Sequence, residues 1–291
     1  MKDKKGRGAK LVKCYVCLFI CFCTKAVHTE LVTDLSTESF ILSLRRFVSR
    51  RGKPRQIWSD NGRNFVGANS ELRALGTFLD KNKDLLCEAF TKDEIHWQFI
   101  PAHSPHFGGL WEAGIKSVKY HLKRVVGEQH FTFEELYTIL VQIEAILNSR
   151  PISPLSTNPD DLFPLTPAHF ILGRTTGEVP DPDVTHIQQH KLSQFQKIQN
   201  VKQHFWKRWN VEYVAELQRR KKWTTNDQRV LEPGMLVLIK EDNIPPMKWM
   251  LGRVLSVSRD VHGVSRVATL KTQRGEVKRA FSKLCPLPIH D

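Results

Sequence analysis

The chain has 291 residues, 41% of them hydrophobic and 25% charged, with a formal net charge of +14 and a pI near 9.6. That is enough apolar sequence for one large domain and a smaller one. It excludes a disordered protein, and the basic balance points to a polyanionic partner. The charge is uneven: residues 195–291 hold 19 Lys/Arg against 9 Asp/Glu, or +10, which leaves +4 for residues 1–194. A basic C-terminal part on a nearly balanced body is the footprint of phosphate contact.

In chain order, a basic stretch from Lys2 to Lys13 precedes ten apolar residues, Cys14 to Cys23. The outline is that of a secretory signal, but about 20 residues are needed to span a bilayer and no small-x-small cleavage site follows. The run reads as a buried strand over 13–24, followed by a second strand over 26–33 with a tight connection at Thr24-Lys25. Cys14, Cys17, Cys21 and Cys23 lie on this one run, which an extended strand would spread to both faces over about 30 Å, at about 3.3 Å per residue. That does not suit a single zinc ion. They are expected to be buried, reduced thiols acting as small hydrophobes, in a nuclear or cytoplasmic protein that is not secreted.

Thr37 to Arg51 predicts an amphipathic helix, with Phe40, Leu44, Phe47 and Val48 on one face and Arg45, Arg46 and Arg50 outside. Ser36 or Thr37 can cap it, and Gly52 with Pro54 ends it. A strand over Gln56–Ser59, a helix over Ala68–Leu79, a strand over His96–Ile100 and helices over Gly109–Val126 and Phe133–Asn148 follow. From Arg150-Pro151 to Pro182 the sequence is proline-rich, a poor place for regular structure and a candidate linker or arm. Helical spacing returns over Leu192–Trp223, with the cluster Arg219-Arg220-Lys221-Lys222 near its end. Short strands are then expected at Met235–Lys240, Lys248–Ser256, Val264–Leu270 and Gly275–Phe281, as in a small barrel.

Two carboxylates carry the chemistry. Asp60 follows an apolar run and opens the turn Ser59-Asp60-Asn61-Gly62, while Glu112 follows the glycine-containing loop Ser104 to Trp111 and starts a helix. Singly each has an ordinary explanation, turn chemistry for Asp60 and a favourable helix-dipole charge for Glu112. Together, an acid at a strand end and an acid at a helix start can share divalent ions. Lys116 and Lys119 lie at +4 and +7 from Glu112, on one helical face, where they can reach a phosphate backbone. Lys123 extends that basic face, whose plain alternative is a solvated surface.

The segment from Lys13 to His28, Arg51-Gly52-Lys53-Pro54, the segment from Ser59 to Ala68 and the segment from Phe107 to Lys116 closely resemble the integrase core of BEL/Pao-type LTR retrotransposons. Leu147 to Pro151 and Leu165 to Phe170 extend the match, and Trp206 to Pro288 resembles the small domain that follows that core. The resemblance implies an α/β fold: a ribonuclease-H-like mixed sheet with helices, then a linker helix and a small SH3-like β-barrel. It implies three metal-binding acids, of which Asp60 matches the second and Glu112 the third, with Mg²⁺ or Mn²⁺ as the cofactor. The first belongs on an opening strand of the sheet, which is missing from these 291 residues. Asp3 reads as part of a hairpin connection and Asp34 as a helix-capping residue, so neither substitutes. Either the start lies upstream of Met1 or the chain is a decayed or domesticated remnant.

The resulting expectation is an integrase-like core over 1–175, a linker with a basic amphipathic helix over 176–229, and a small β-barrel over 230–291. Asp60 and Glu112 are the candidate catalytic and metal-binding residues, with Asn61, Gly62 and His103 shaping the site. Lys116, Lys119, Lys123, Arg219, Arg220, Lys221, Lys222, Lys248 and Arg253 are the candidate nucleic-acid contacts. DNA is the expected partner, a homo-oligomer stays open, and no membrane association is expected. The function expected is that of an integrase by descent, inactive in strand transfer without the first acid. A domesticated, non-enzymatic DNA- or chromatin-binding protein is the alternative, and a ribonuclease of the same fold class fits the glutamate loop less well.

Overall fold

The computed structural model describes residues 1–59 (except 7), 95–99, 119–224 (except 178), and 231–287 (except 242 and 260–264). Two compact units divide it: residues 1–22, 27–120 and 126–141, and residues 23–26, 121–125 and 142–291.

In the first unit, Met1 to Val12 fold back on themselves. Lys2 bridges Leu11, and the Asp3 carboxylate accepts the Lys10 backbone N–H at 2.8 Å, so Asp3 is a hairpin residue as its sequence context suggested. Strands β1 (Tyr15–Ile20) and β2 (Val27–Val32) pair antiparallel, Tyr15 opposite Val32 and Ile20 opposite Val27. Their connection turns at Lys25, whose φ is +56°. The thiols of the run do not share one environment. Cys17 packs beside Phe40 and Leu44, and burial pushes its pKa up to about 11. Cys21 and Cys23 are exposed, against expectation, because β1 stops at Ile20 and leaves them in the connection.

Helix α1 (Thr37–Arg51) has the bounds its periodicity predicts. The Ser36 hydroxyl caps it by accepting the Ser39 N–H at 3.2 Å, and the Asp34 carboxylate accepts the Ser36 N–H at 2.8 Å. Gly52, with φ +86°, ends it and returns its N–H to the Val48 carbonyl. Phe40 and Leu44 are buried against Cys17 and Phe19 of β1 and against Ile57, and the Phe19 and Phe47 rings stack at 4.5 Å. Strand β3 (Gln56–Ser59) pairs parallel with β4 (His96–Phe99). Among the described residues, β1–β2 and β3–β4 are separate two-stranded sheets that both contribute to the cluster under α1.

Residues 119–126 are helical, and helix α2 (Phe133–Asn148) follows. Its start is a reciprocal box: Glu135 accepts the Thr132 N–H at 2.9 Å and donates its own N–H to the Thr132 hydroxyl at 3.5 Å. Ile139, Leu140, Ile143 and Ile146 are fully buried at helical spacing.

The proline-rich stretch of the second unit is more regular than its composition suggests. Short strands β5 (Ser153–Pro154) and β6 (Pro164–Leu165) pair antiparallel, and helix α3 (Pro167–Leu172) follows with proline in its first turn. Further on, Asp181 to Thr185 lies along helix α4 (Gln194–Thr224). Gln203 accepts the Val184 N–H at 3.0 Å and donates to the Pro182 carbonyl at 2.8 Å. Asn200 donates to the Val184 carbonyl at 3.0 Å, and Gln199 donates to Asp181 at 2.7 Å. Buried Asn200 and Gln203 on α4 are thereby satisfied by backbone groups that proline-rich sequence leaves without a ladder, and buried Gln199 by the Asp181 carboxylate.

Five strands close the chain: β7 (Leu236–Ile239), β8 (Leu251–Arg259), β9 (Ser265–Thr272), β10 (Gly275–Ala280) and β11 (Leu284–Pro286). They form one antiparallel sheet in the order β10-β9-β8-β7-β11. Val237, Ile239, Val254, Ala268 and Leu270 share one cluster. Leu236 joins Leu162 and Leu287, while Leu238 joins Val214 and Cys285. Alternate residues of β7 therefore enter different cores, which is why Leu-Val-Leu-Ile is a continuous apolar run instead of an alternating one. Gly252 permits the close packing: a Cβ there would sit 3.2 Å from Ile239 Cδ1 and 3.2 Å from Leu270 Cβ.

Candidate nucleic-acid interface

Asp60, Asn61, Gly62, His103, Glu112 and Lys116 lie outside the described residues. The structure does fix what precedes Asp60: β3 runs to Ser59, which is buried at 8% exposure. Among the described residues, no group of three or more His, Cys, Asp or Glu side chains could hold a metal ion. Asp34 is bound to Ser36, whose hydrogen bonds hold its carboxyl below the usual carboxylate range. It was expected to cap the helix, but Ser36 is the cap, and Asp34 stands two residues outside it and holds Ser36 in place.

The basic candidates differ in what they offer a phosphate. Lys119 and Lys123 are both exposed on the helical segment 119–126, four residues apart, while His121 and Val125 are buried. Arg219, Arg220, Lys221 and Lys222 belong to the last turns of α4, and their side chains lie outside the described set. Lys248 is exposed. Arg253 is buried at 5% exposure, where its guanidinium donates to the Gly234 carbonyl at 2.9 Å and to the Asp161 carbonyl at 2.6 Å. That side chain ties the segment around Asp161 to β8, so its charge is used inside the fold. Beside it, Lys271 of β9 donates to the Asp160 carboxylate at 2.6 Å, with both side chains largely exposed.

Sequence periodicity identified the apolar face of α4 but not what it assembles. Trp206, Trp209, Tyr213 and Trp249 form one aromatic group, with Trp249 edge-on to Trp206 at 4.8 Å and to Tyr213 at 5.6 Å. The Trp206 indole N–H donates to the Ile244 carbonyl at 2.8 Å, and the Tyr213 hydroxyl donates to the Pro151 carbonyl. Burial lowers the His204 pKa, and the charges of Lys207 and Arg208 lower it further, so that imidazole stays neutral near pH 7.

The basic residues missed as candidates lie around α1. Glu30 of β2 is 1% exposed and receives the Arg46 Nε at 2.6 Å and an Arg50 guanidinium nitrogen at 2.8 Å. His28 Nε2 stands 3.0 Å from the same carboxylate. Burial pushes the Glu30 carboxyl up, but the bonds from His28 and Arg46 and the charges of Arg46 and Arg50 outweigh it and hold its pKa below the ordinary value. The only sequence signal was the density of cations: Ser39 to Ser59 carry Arg45, Arg46, Arg50, Arg51, Lys53 and Arg55 and no acid.

Residues 193–287 match a family described as a family of unknown function (DUF5641). The matched segment begins at Ser193, whose hydroxyl accepts the Gln196 N–H at the start of α4, and ends just past β11. No curated protein matches the chain. Among solved structures, a simian T-cell lymphotropic virus intasome in complex with the PP2A regulatory subunit B56 gamma is similar over 95% of this chain and 73% of that one, at 10% identity and a TM-score of 0.39. No helix among the described residues is long and apolar enough to cross a membrane.

Proposed function

We propose that this chain is an integrase-related DNA-binding protein of retrotransposon descent, acting in the nucleus. The reading rests on motifs matched residue by residue: Asp60 follows the last residue of β3, and Glu112 and Lys116 stand in the glycine loop and helix pattern of BEL/Pao integrases. The single observation that carries DNA binding is the +10 charge of residues 195–291, in a part of the chain whose helix carries four consecutive cations, Arg219 to Lys222, in its last turns. Lys116, Lys119, Lys123, Lys248 and the cluster Arg219 to Lys222 take phosphates, and Arg253 takes a structural role.

In the finer reading, β1–β2 and β3–β4 are the two halves of a ribonuclease-H-like sheet, and β7–β11 is an SH3-like barrel. A further strand set between β1 and β3 would join the halves and carry the first acid. Asp60 and Glu112 would hold Mg²⁺ or Mn²⁺, which supplies activation of the attacking oxygen and stabilisation of the leaving one. Two acids are too few negative ligands to organise two cations, so no strand-transfer step is assigned to the 291 residues alone. Removing one electrostatic interaction of this kind lowers the rate about 100- to 1000-fold.

Two experiments test the reading. The purified chain should bind duplex DNA with little sequence preference and, for about five phosphates contacted, a slope of log K against log salt near −4.5. Binding indifferent to salt would refute it. In an end-joining assay, the 291-residue polypeptide should be inactive in Mg²⁺ or Mn²⁺, whereas a polypeptide extended upstream by an Asp-bearing strand should join ends. Joining by the 291 residues that disappears in Asp60→Asn would overturn the account.

A further inference from the structure

Beyond the C-terminal charge, the first unit holds a basic surface that the motifs do not assign. From Ser39 to Ser59 there are six cations and no acid, and five of the six are arginine. Arg45, Arg50, Arg51, Lys53 and Arg55 are exposed. Arg46 and Arg50 stand one turn apart on α1, with side chains 39% and 45% exposed, and both are fixed from below by the same buried carboxylate of Glu30. Arg50 is held a second time, donating to the Tyr137 hydroxyl at 2.6 Å with its guanidinium carbon 5.9 Å from the Tyr137 ring centre.

A helix C-terminus attracts cations through its dipole, but that effect fades within the last turn. It explains Arg50 and Arg51, not Lys53 and Arg55, which lie beyond the Gly52 cap. Nor does one buried acid need two arginines and a histidine for neutrality. What the arrangement achieves is orientation: two guanidiniums lose their rotamer freedom before any ligand arrives, and a guanidinium fork matches phosphate oxygens in pairs. The cations are strung along two helical turns and on into the loop, as a track. A track suits a polymer with a charge about every 3.4 Å per strand better than it suits one compact anion.

We propose that this α1 surface is a second DNA-backbone contact, with Arg46 and Arg50 preset by Glu30 and with Arg45, Lys53 and Arg55 alongside. It rests on the DNA-binding reading above and adds a surface to it. The test uses the full chain, a labelled 25-base-pair duplex of arbitrary sequence and fluorescence anisotropy over a salt series. The variant Arg45→Gln/Lys53→Gln/Arg55→Gln touches none of the Glu30 bonds. It should weaken binding at least tenfold and flatten the salt slope by about 2 to 3, near 0.9 for each phosphate that the variant no longer neutralises. Glu30→Gln should also weaken binding, although it removes a negative charge, and Glu30→Asp should recover part of the affinity; circular dichroism checks that each variant is folded. A tighter complex in Glu30→Gln would mean that bulk charge alone matters, and would overturn the preset fork. Wild-type affinity and slope in the triple variant, while Arg219→Gln/Arg220→Gln/Lys221→Gln/Lys222→Gln binds weakly, would overturn the surface but leave the C-terminal reading standing. A triple variant that no longer binds a phosphoserine peptide, yet keeps its duplex affinity, would overturn it in favour of a protein partner. A wild-type chain that binds no DNA would sink both readings.

Discussion

β2 and β7 are both buried along their whole length, yet they reach that state by opposite chemistry. β7 is Leu-Val-Leu-Ile, and its two faces enter different apolar clusters. β2 is Val-His-Thr-Glu-Leu-Val, and its middle residues His28, Thr29 and Glu30 are polar and at most 4% exposed. In β7 burial is driven by removing apolar surface from water, at roughly 25 cal/mol per Å². In β2 the polar groups are buried because partners wait for them: Thr29 donates to the Leu140 carbonyl at 3.4 Å, and Glu30 lies between Arg46 and Arg50. A strand of the first kind tolerates exchange of one hydrophobe for another of like volume. A strand of the second kind specifies which helix face must lie against it.

The largest contrast should come from truncating each strand at its most buried side chain. Leu238→Ala is expected to cost about 2–5 kcal/mol in urea unfolding, from reduced burial and the cavity left between the sheet and Val214. Glu30→Ala should cost less, about 1–3 kcal/mol, because Arg46 and Arg50 are partly exposed and can rehydrate. A cost in Glu30→Ala above that of Leu238→Ala would reverse the ranking.

Acid separates the two strands more cleanly. The Glu30 pKa is lowered in the fold, so its contribution is fully present above the unfolded value of about 4.3 and is lost as pH falls through the folded value. Stability should therefore drop below about pH 4.3 in the wild type, and Glu30→Gln should flatten part of that limb, while Leu238→Ala shifts the whole curve without changing its shape. An unaltered acid limb in Glu30→Gln would show that the carboxylate is not held as described.

Smaller effects sharpen the picture at each strand's neighbour. Gly252→Ala should cost about 1–3 kcal/mol, since its methyl would press on Ile239 and Leu270 from 3.2 Å. Ser36→Ala should cost about 1 kcal/mol, the usual effect of removing a helix N-cap. Asp160→Ala should leave the urea midpoint unmoved, since the Lys271 pair is exposed to water on both sides.

Local pattern carried much of the element order. The periodicity of Thr37–Arg51 and Phe133–Asn148 and the caps that bound them are short-range properties, so those helices were legible to the residue. The presence of β1 and of β7 to β10 was legible for the same reason, but the early end of β1 at Ile20 and the last strand, β11, were not. The proline-rich stretch was less so. The arm from Asp181 to Thr185 depends on Gln199, Asn200 and Gln203, which lie 16 to 19 residues away in several of its bonds, beyond the reach of local pattern.

By itself the sequence determined the excess of positive charge after residue 195 and the bounds of the helices Thr37–Arg51 and Phe133–Asn148, because each is written in residue identity and local spacing. Only the tertiary structure decided which cations remain available. Arg253 and Arg46 look alike in sequence, yet one is enclosed by the carbonyls of Gly234 and Asp161 and the other is partly exposed above a buried Glu30. Burial and hydrogen-bond partners are properties of the assembled surface, and long-range packing, not composition, sets them.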